Sequence, residues 1–496
     1  MMRDVVRVEK VDAVNMRVTA DAGIRQEIMG YFSFRPEGYQ FSPKYKNKVW
    51  DGYIRLYNPM KPYLLAGLIE YLKKFCDDRD YDLMVDDDFN PTEDIHDSYV
   101  EELADEIGTT LKPRDYQIEY VLNAIRSNRS LSLSPTSSGK SFIQFLIQQH
   151  YYRVYGHRTL IIVPTIGLVH QMAGDFVEYG GDPDDIYKIQ GGIDKNTKRP
   201  VVISTWQSLV KQPKEWFDQF RVVLGDESHL FAAKSLQIIM SKLDEAYYRH
   251  GFTGTISSDS KTHRLVLEGV FGPIRRFVTT KELIDQGTVA NFNVKALVLS
   301  YDAETKKVFS QVLKKTDKAK RYPAERAFIF ANHKRNMFIR NLVWSLDQTN
   351  NLILFDQIEN QGDILKELLK KEGRILHYIH GGTSGDQREK VRHLVENDPI
   401  KQHDILASSG VFSTGVSIKR LDNAIFTAGG KSEIKTLQSI GRTLRKGNGS
   451  DNATLYDIAD DLSSGSFINY TLSHFKARVE MYSSEEFPYK IYNINL

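Results

Sequence analysis

Along most of the chain, short unbroken apolar runs alternate with longer segments whose apolar positions recur every three or four residues. LSLSP precedes SFIQFLIQQHYYRVY, TLIIVPT precedes GLVHQMAGDFVEY, PVVIST precedes WQSLVKQPKEWF, and RVVLGDE and RHGFTGT complete a first series. Runs such as LIIVP, apolar at every position, suit strands buried on both faces, and the intervening period belongs to helices. The series therefore predicts a parallel α/β sheet. A second series follows: NLILFD, GRILHYIHG, DILASSG, NAIFTAG and ATLYDIAD, with helical DQREKVRHLVEN and KTLQSIGRTLRK between them. Two consecutive α/β domains are expected, joined around residues 285 to 300. No fixed-period repeat and no low-complexity tract interrupts them.

The first 95 residues lack this rhythm. From Cys76 to Asp105 the chain is acidic, is broken by Pro91 and is poor in aliphatic residues, which marks a connection followed by a short helix. The expected organisation is an N-terminal domain over 1–95, an α/β domain over 96–290 and a second over 291–496.

Composition narrows the class. With 41% hydrophobic, 26% charged and 11% aromatic residues in 496, the chain is expected to be soluble and globular. A net charge of +2 from 66 basic and 64 acidic side chains neither favours nor excludes nucleic acid, so local patches must decide. The single cysteine, Cys76, excludes an intramolecular disulfide and a thiolate metal cluster, and fits a reducing compartment. The beginning, MMRDVVRVEKVDAVNM, is charged throughout, and no later segment is apolar for a membrane-spanning length. A cytoplasmic protein without a membrane partner is expected.

SPTSSGKS lies between the strand LSLS and an apolar-periodic helix, the setting of a phosphate-binding loop. Small residues such as Ser138 and Gly139 let backbone N–H groups turn toward an anion, and the helix N-terminus adds partial positive charge. Lys140 would reach the β and γ phosphates, and Ser141 would place its hydroxyl on magnesium. Ser134 stands where the generic loop has glycine, and GKS alone would fit an ordinary strand-to-helix turn equally well. RVVLGDESHLF changes that balance. It sets Asp226 and Glu227 at the carboxyl end of a buried strand, where doubly wound sheets bind ligands. Asp226 would hold magnesium and Glu227 would polarise the attacking water, so hydrolysis of ATP or GTP is expected.

DESH, with SPTSSGKS before it, resembles the DExH box of superfamily 2 helicases, and further segments resemble that family's motifs in order. PRDYQIEYV is similar to the adenine-recognition segment, implying Gln117 bidentate on the base with Tyr116 nearby. IIVPTIGLVHQ and VVISTWQSL resemble the segments that hold a nucleic-acid backbone, through Thr165 and Thr205. GFTGT resembles the coupling motif, with Thr253 and Thr255, and His229 is implied to join the ATP site to it or to motif six. ILASSGVFSTGVSIK resembles motif five, implying a backbone contact from Thr414, although Ser417 stands where relatives often have aspartate. LQSIGRTLRKG resembles motif six. On a helix its Gln438, Arg442 and Arg445 share one face, and two guanidiniums so placed would stabilise the transferring phosphoryl group, an effect on the order of 10³-fold or more in rate. The resemblance spans about residues 111 to 460 and implies two tandem RecA-like domains with Mg²⁺ and ATP bound between them, preceded by a small α+β domain.

That first domain carries YFSFRPEGYQFSPKYKNKVWDGYIRLYNP, in which Lys44, Lys46 and Lys48 mix with Trp50 and several tyrosines. Basic and aromatic residues together suit phosphates and unstacked bases, although the same composition also describes a small core with solvated lysines. The block resembles the N-terminal region of the recombination and repair helicases of T-even phages. That resemblance implies a helicase acting on branched, forked or single-stranded DNA, including junction migration, fork regression and removal of RNA–DNA hybrids. An RNA helicase of the same superfamily and a nucleotide-gated remodelling protein that does not unwind stay open. A small-molecule kinase would leave the second α/β domain unexplained. His377 and His380, three apart, lack a third ligand and read as a strand end, and adjacent Ser228 and His229 are poorly disposed as a hydrolytic dyad.

Overall fold

The computed structural model describes residues 4–36, 38–86, 89, 93–135, 138–189, 194–254, 261–286, 291–411, 420–427, 452–465, 467–484 and 487–496. The chain falls into two units: Met1–Ser134 with Gly139–Phe277, and Pro135–Ser138 with Val278–Leu496.

In the first unit seven parallel strands form a sheet in the order Ile274–Arg275, Arg129–Leu133, Tyr248–Thr253, Val222–Asp226, Thr159–Val163, Val201–Thr205 and Ile186–Ile189. Its central strands Thr159–Val163, Val201–Thr205 and Val222–Asp226 are buried at every position, which is why their sequences carry no alternation. Helices Lys140–Tyr155 and Ile166–Glu178 bury Phe142, Phe145, Val169 and Phe176 in one core with Ile161 and Ile203 from the sheet. WQSLVKQPKEWF, expected as one helix, forms two of four residues, Trp206–Leu209 and Lys214–Phe217. Pro213 separates them, because it lacks an N–H and keeps the residue before it out of helical conformation.

The N-terminal region forms its own four-stranded mixed sheet in the order Tyr63–Leu65, Asn15–Thr19, Val5–Lys10 and Asp82–Val85. Its strands pair antiparallel except Val5–Lys10 with Asp82–Val85. It packs on helix Lys261–Phe271: Leu265 shares a core with Val6, Leu68 and Phe75, and the Tyr71 hydroxyl donates to Glu268 Oε2 at 2.5 Å. Gly67 sits so close to that helix that a Cβ would lie 2.1 Å from the Glu268 carbonyl oxygen, so only glycine fits. The buried Arg129 guanidinium donates to the Ala13 carbonyl, tying the two sheets together.

The second unit holds another seven-stranded parallel sheet, in the order Ile375–Ile379, His403–Ser408, Asn351–Phe355, Asn423–Phe426, Asn452–Asp461, Asn291–Ser300 and Tyr489–Asn495. The strand Asn291–Ser300 occupies the stretch expected as a domain joint. Its sequence NFNVKALVLS alternates polar and apolar residues through Lys295, and only its second half, residues 296–299, is an unbroken apolar run. Among the described residues no helix is long and apolar enough to cross a membrane.

Candidate nucleotide site and nucleic-acid surface

The carboxyl ends of three neighbouring strands, Arg129–Leu133, Tyr248–Thr253 and Val222–Asp226, bring the phosphate loop, Thr253 and the acidic pair to one edge of the first sheet. Ser134 fits at the loop's head because its groups are occupied elsewhere. Its hydroxyl meets the Ser132 hydroxyl at 2.6 Å and its N–H donates to the Thr253 carbonyl at 2.9 Å, so the side chain turns into the sheet. Lys140, the first residue of its helix, donates from Nζ to the Ser134 carbonyl at 3.1 Å, which holds the ammonium over the loop. Gly139 precedes it at φ +79°, and a Cβ there would lie 2.3 Å from Gln117 Nε2. The positive φ favours glycine here, and any larger residue would also have to displace the Gln117 side chain.

Gln117 is buried, with Oε1 accepting the Arg114 N–H at 3.0 Å, while the Tyr116 hydroxyl accepts from the Arg114 guanidinium at 3.0 Å. The segment expected to recognise adenine thus meets the loop through Gln117 and Gly139. Ser141 pairs its hydroxyl with that of Tyr179 at 2.8 Å, a contact between residues 38 apart that no local pattern announces. Ser138 is buried just before Gly139.

At the neighbouring strand end Asp226 is buried, and burial together with the Glu227 carboxylate pushes its carboxyl above the ordinary range, while Lys140 pulls it back. Lys140 does not fully offset burial and Glu227 at this carboxylate, and a cation would add to its compensation. Ser141 and Asp226 offer hard oxygen donors of the kind magnesium takes. No group of three or more His, Cys, Asp or Glu that could hold a metal exists among the described residues. Glu227 adopts the left-handed conformation at φ 49°, strain typical of a residue whose side chain must be aimed. Its Oε2 lies 3.3 Å from His229 Nδ1, which also meets Thr253 Oγ1 at 3.1 Å. His229 therefore bridges the acidic pair and the end of the Tyr248–Thr253 strand, and His263 Nε2 meets its carbonyl at 2.8 Å. Ser228 donates to the Gly225 carbonyl at 2.7 Å and accepts the Phe252 N–H at 2.8 Å, so it joins two strands and is no nucleophile.

Thr165 and Thr205 stand at the same edge, Thr165 two residues after strand Thr159–Val163 and Thr205 as the last residue of its partner Val201–Thr205. Thr165 Oγ1 caps its helix by accepting the Leu168 N–H at 3.3 Å, and Thr205 Oγ1 lies 3.2 Å from Ser208 Oγ. In the second unit His377 Nε2 meets His403 Nδ1 at 2.9 Å and His403 Nε2 meets Asp398 at 3.0 Å, whereas His380 Nδ1 accepts the Gly382 N–H at 3.2 Å. These histidines serve separate local networks. Thr255, Thr414, Ser417, Gln438, Arg442 and Arg445 lie outside the described residues.

In the N-terminal region Lys44, Lys46 and Lys48 are exposed, the first two on the short helix Pro43–Lys46. Trp50, expected to stack on bases, is half-buried and donates from Nε1 to the Tyr53 carbonyl at 2.8 Å, so it anchors its own turn. Either side of these lysines Phe41 and Val49 are exposed, which the composition of the segment does not reveal.

Comparison with known proteins agrees with this layout. Residues 5–86 match the family described as "DNA helicase UvsW, N-terminal", residues 110–258 "Type III restriction enzyme, res subunit", and residues 333–447 "Helicase conserved C-terminal domain". The ATP-dependent DNA helicase uvsW of Enterobacteria phage T4 is 35% identical over 99% of this chain and 100% of its own length. The DNA 3′-5′ translocase XPB2 of Sulfurisphaera tokodaii is 26% identical, covering 67% of this chain and 78% of that protein. The crystal structure of T4 UvsW superimposes with a TM-score of 0.52 at 32% identity, covering 99% of both chains.

Proposed function

We propose that this chain, which belongs to the UvsW family of ATP-dependent DNA helicases, spends the energy of ATP on moving along branched DNA in recombination and repair. The observation that carries the reading is the meeting of Lys140, Asp226, Glu227 and Thr253 at one sheet edge, in a chain similar over its length to a DNA helicase.

Lys140 and the backbone N–H groups after Gly139 neutralise the β and γ phosphates, and Gln117 with Tyr116 receives the adenine. Ser141 and Asp226 would hold magnesium, which when bound withdraws charge from the transferring phosphoryl group. Glu227 orients and polarises the attacking water, and its near contact with His229 carries the change in charge to Thr253. Arg442 and Arg445, with Gln438, would complete the charge stabilisation, as their resemblance to motif six implies. Thr165, Thr205 and Thr414 grip phosphates without reading bases, as a sequence-blind translocase requires. The organisation into parts 1–95, 96–290 and 291–496 and action in the cytoplasm belong to the same reading, as do junction migration, fork regression and removal of RNA–DNA hybrids.

ATP-driven displacement of a labelled strand from a four-way junction, a fork and an RNA–DNA hybrid tests it. Displacement from junction and fork that stops with a non-hydrolysable ATP analogue supports the reading. ATP hydrolysis without displacement from any branched substrate would favour a clamp that remodels without unwinding.

A further inference from the structure

The segment from Ser33 to Arg55 leaves the N-terminal sheet as a separate lobe, closed at its base by the short antiparallel pair Ser33–Phe34 with Ile54–Arg55. Among its described residues the exposed Arg35 guanidinium packs 4.9 Å from the half-buried Tyr39 ring and 4.6 Å from the half-buried Tyr53 ring, with Tyr45 edge-on to Tyr39 at 4.8 Å. Gly52, at φ +84°, lets Tyr39 approach to within 2.7 Å of where a Cβ would stand. Val49 N–H and Trp50 N–H both bond the Lys44 carbonyl, closing the turn that carries the lysines. The lobe is therefore held together by half-buried tyrosine rings packed on Arg35 and on one another.

What it turns outward is different. Phe41, just before the lysines, is 70% exposed, and Val49, just after them, is 77% exposed. Lys44, Lys46 and Lys48 are exposed between them, and no ion pair to these three exists among the described residues, since Asp51 is taken by Arg55. Lysine is depleted at protein interfaces, whereas a run of uncompensated lysines complements a phosphate backbone. Phosphates alone would leave Phe41 and Val49 without a purpose. Bases in an intact duplex present their faces to one another, so apolar side chains gain most where stacking is interrupted.

We propose that Phe41 and Val49 pack against unstacked bases at the point where a duplex branches, while Lys44, Lys46 and Lys48 hold the flanking phosphates. The lobe then selects branched DNA over linear duplex. This rests on the helicase reading above, but it is tested without ATP, so that failure of either is visible separately.

The experiment is nucleotide-free equilibrium binding of the full chain to a fork carrying 2-aminopurine at its branch point and to a linear duplex of the same length. Phe41→Ala/Val49→Ala is compared with the unaltered chain. Both side chains are exposed, so the variant folds, which a matching thermal melt verifies. The variant is expected to bind the fork roughly tenfold more weakly, with little change on linear duplex and loss of the 2-aminopurine fluorescence change. Equal losses on both DNAs, or none on the fork, would overturn the proposal. If the unaltered chain displaces no strand with ATP but the fork-to-duplex ratio still collapses in the variant, the helicase reading fails and the branch contact stands.

Discussion

The loop edge of the first sheet and the lobe at Ser33–Arg55 use the same residue types, lysine, hydroxyls and aromatics, under opposite conditions. At the loop edge the key described polar groups are held before any substrate arrives: Lys140 on the Ser134 carbonyl, Ser134 on Ser132, His229 on Thr253. On the lobe the lysines stand in solvent and the packed groups are those that build the platform. Preorganised groups in a water-poor site act strongly on developing charge, whereas exposed charges act through a screened field. Chemistry therefore belongs to the first region and affinity to the second, and substitutions in the two should fail in different observables.

The largest separation is expected from Lys140→Ala. Turnover of ATP should fall by at least about 10²-fold while nucleotide-free DNA binding stays within about twofold. Steady-state turnover beside a binding titration checks this, and comparable losses in both would erase the distinction.

Acid should strike the first region next. His250, buried on the strand that ends at Thr253, bonds Ser130 Oγ at 2.9 Å, and burial with the nearby Arg129 lowers its pKa from 6.5 to about 3. The unfolded chain takes up a proton below the ordinary value and the folded chain does not, so this contribution is intact above it and is lost as pH falls toward the folded value. At pH 5 the loss from this group is about 2 kcal/mol. Urea unfolding of the first unit's transition between pH 7.5 and pH 5 should steepen in the unaltered chain relative to His250→Gln, and parallel curves would refute the assignment.

Replacing Lys44, Lys46 and Lys48 together by alanine should weaken DNA binding several-fold at low salt and reduce the slope of log affinity against log salt by about 2 to 3. Turnover at saturating DNA should hold. A slope that does not change would make these lysines solvated surface. The smallest effect is expected from Ser134→Gly, which restores the usual loop residue. Because the Ser134 hydroxyl faces Ser132, turnover should change by less than about twofold.

What the sequence revealed follows the same division. Strands buried on both faces write unbroken apolar runs, so most of both sheets was legible, as were the places of Lys140 at a helix start and of Asp226 and Glu227 at a strand end. Strand Asn291–Ser300 was not, because its polar residues disguise it, and neither was the edge strand Tyr489–Asn495. The pairing of Ser141 with Tyr179 and the His263 contact with His229 join residues far apart in the chain, and only folding creates them. On the lobe, composition announced a basic aromatic surface but could not say which ring faces out. Tertiary packing buries part of Trp50 and exposes Phe41, although both are large and apolar.

The most direct test is steady-state ATP turnover by the purified chain alone and with single-stranded DNA, linear duplex, a four-way junction and RNA, with Lys140→Ala as the blank. Strong stimulation by DNA, greatest with the junction and absent from the blank, is the predicted result. Turnover indifferent to every nucleic acid would contradict the claim that the energy of this site is spent on branched DNA.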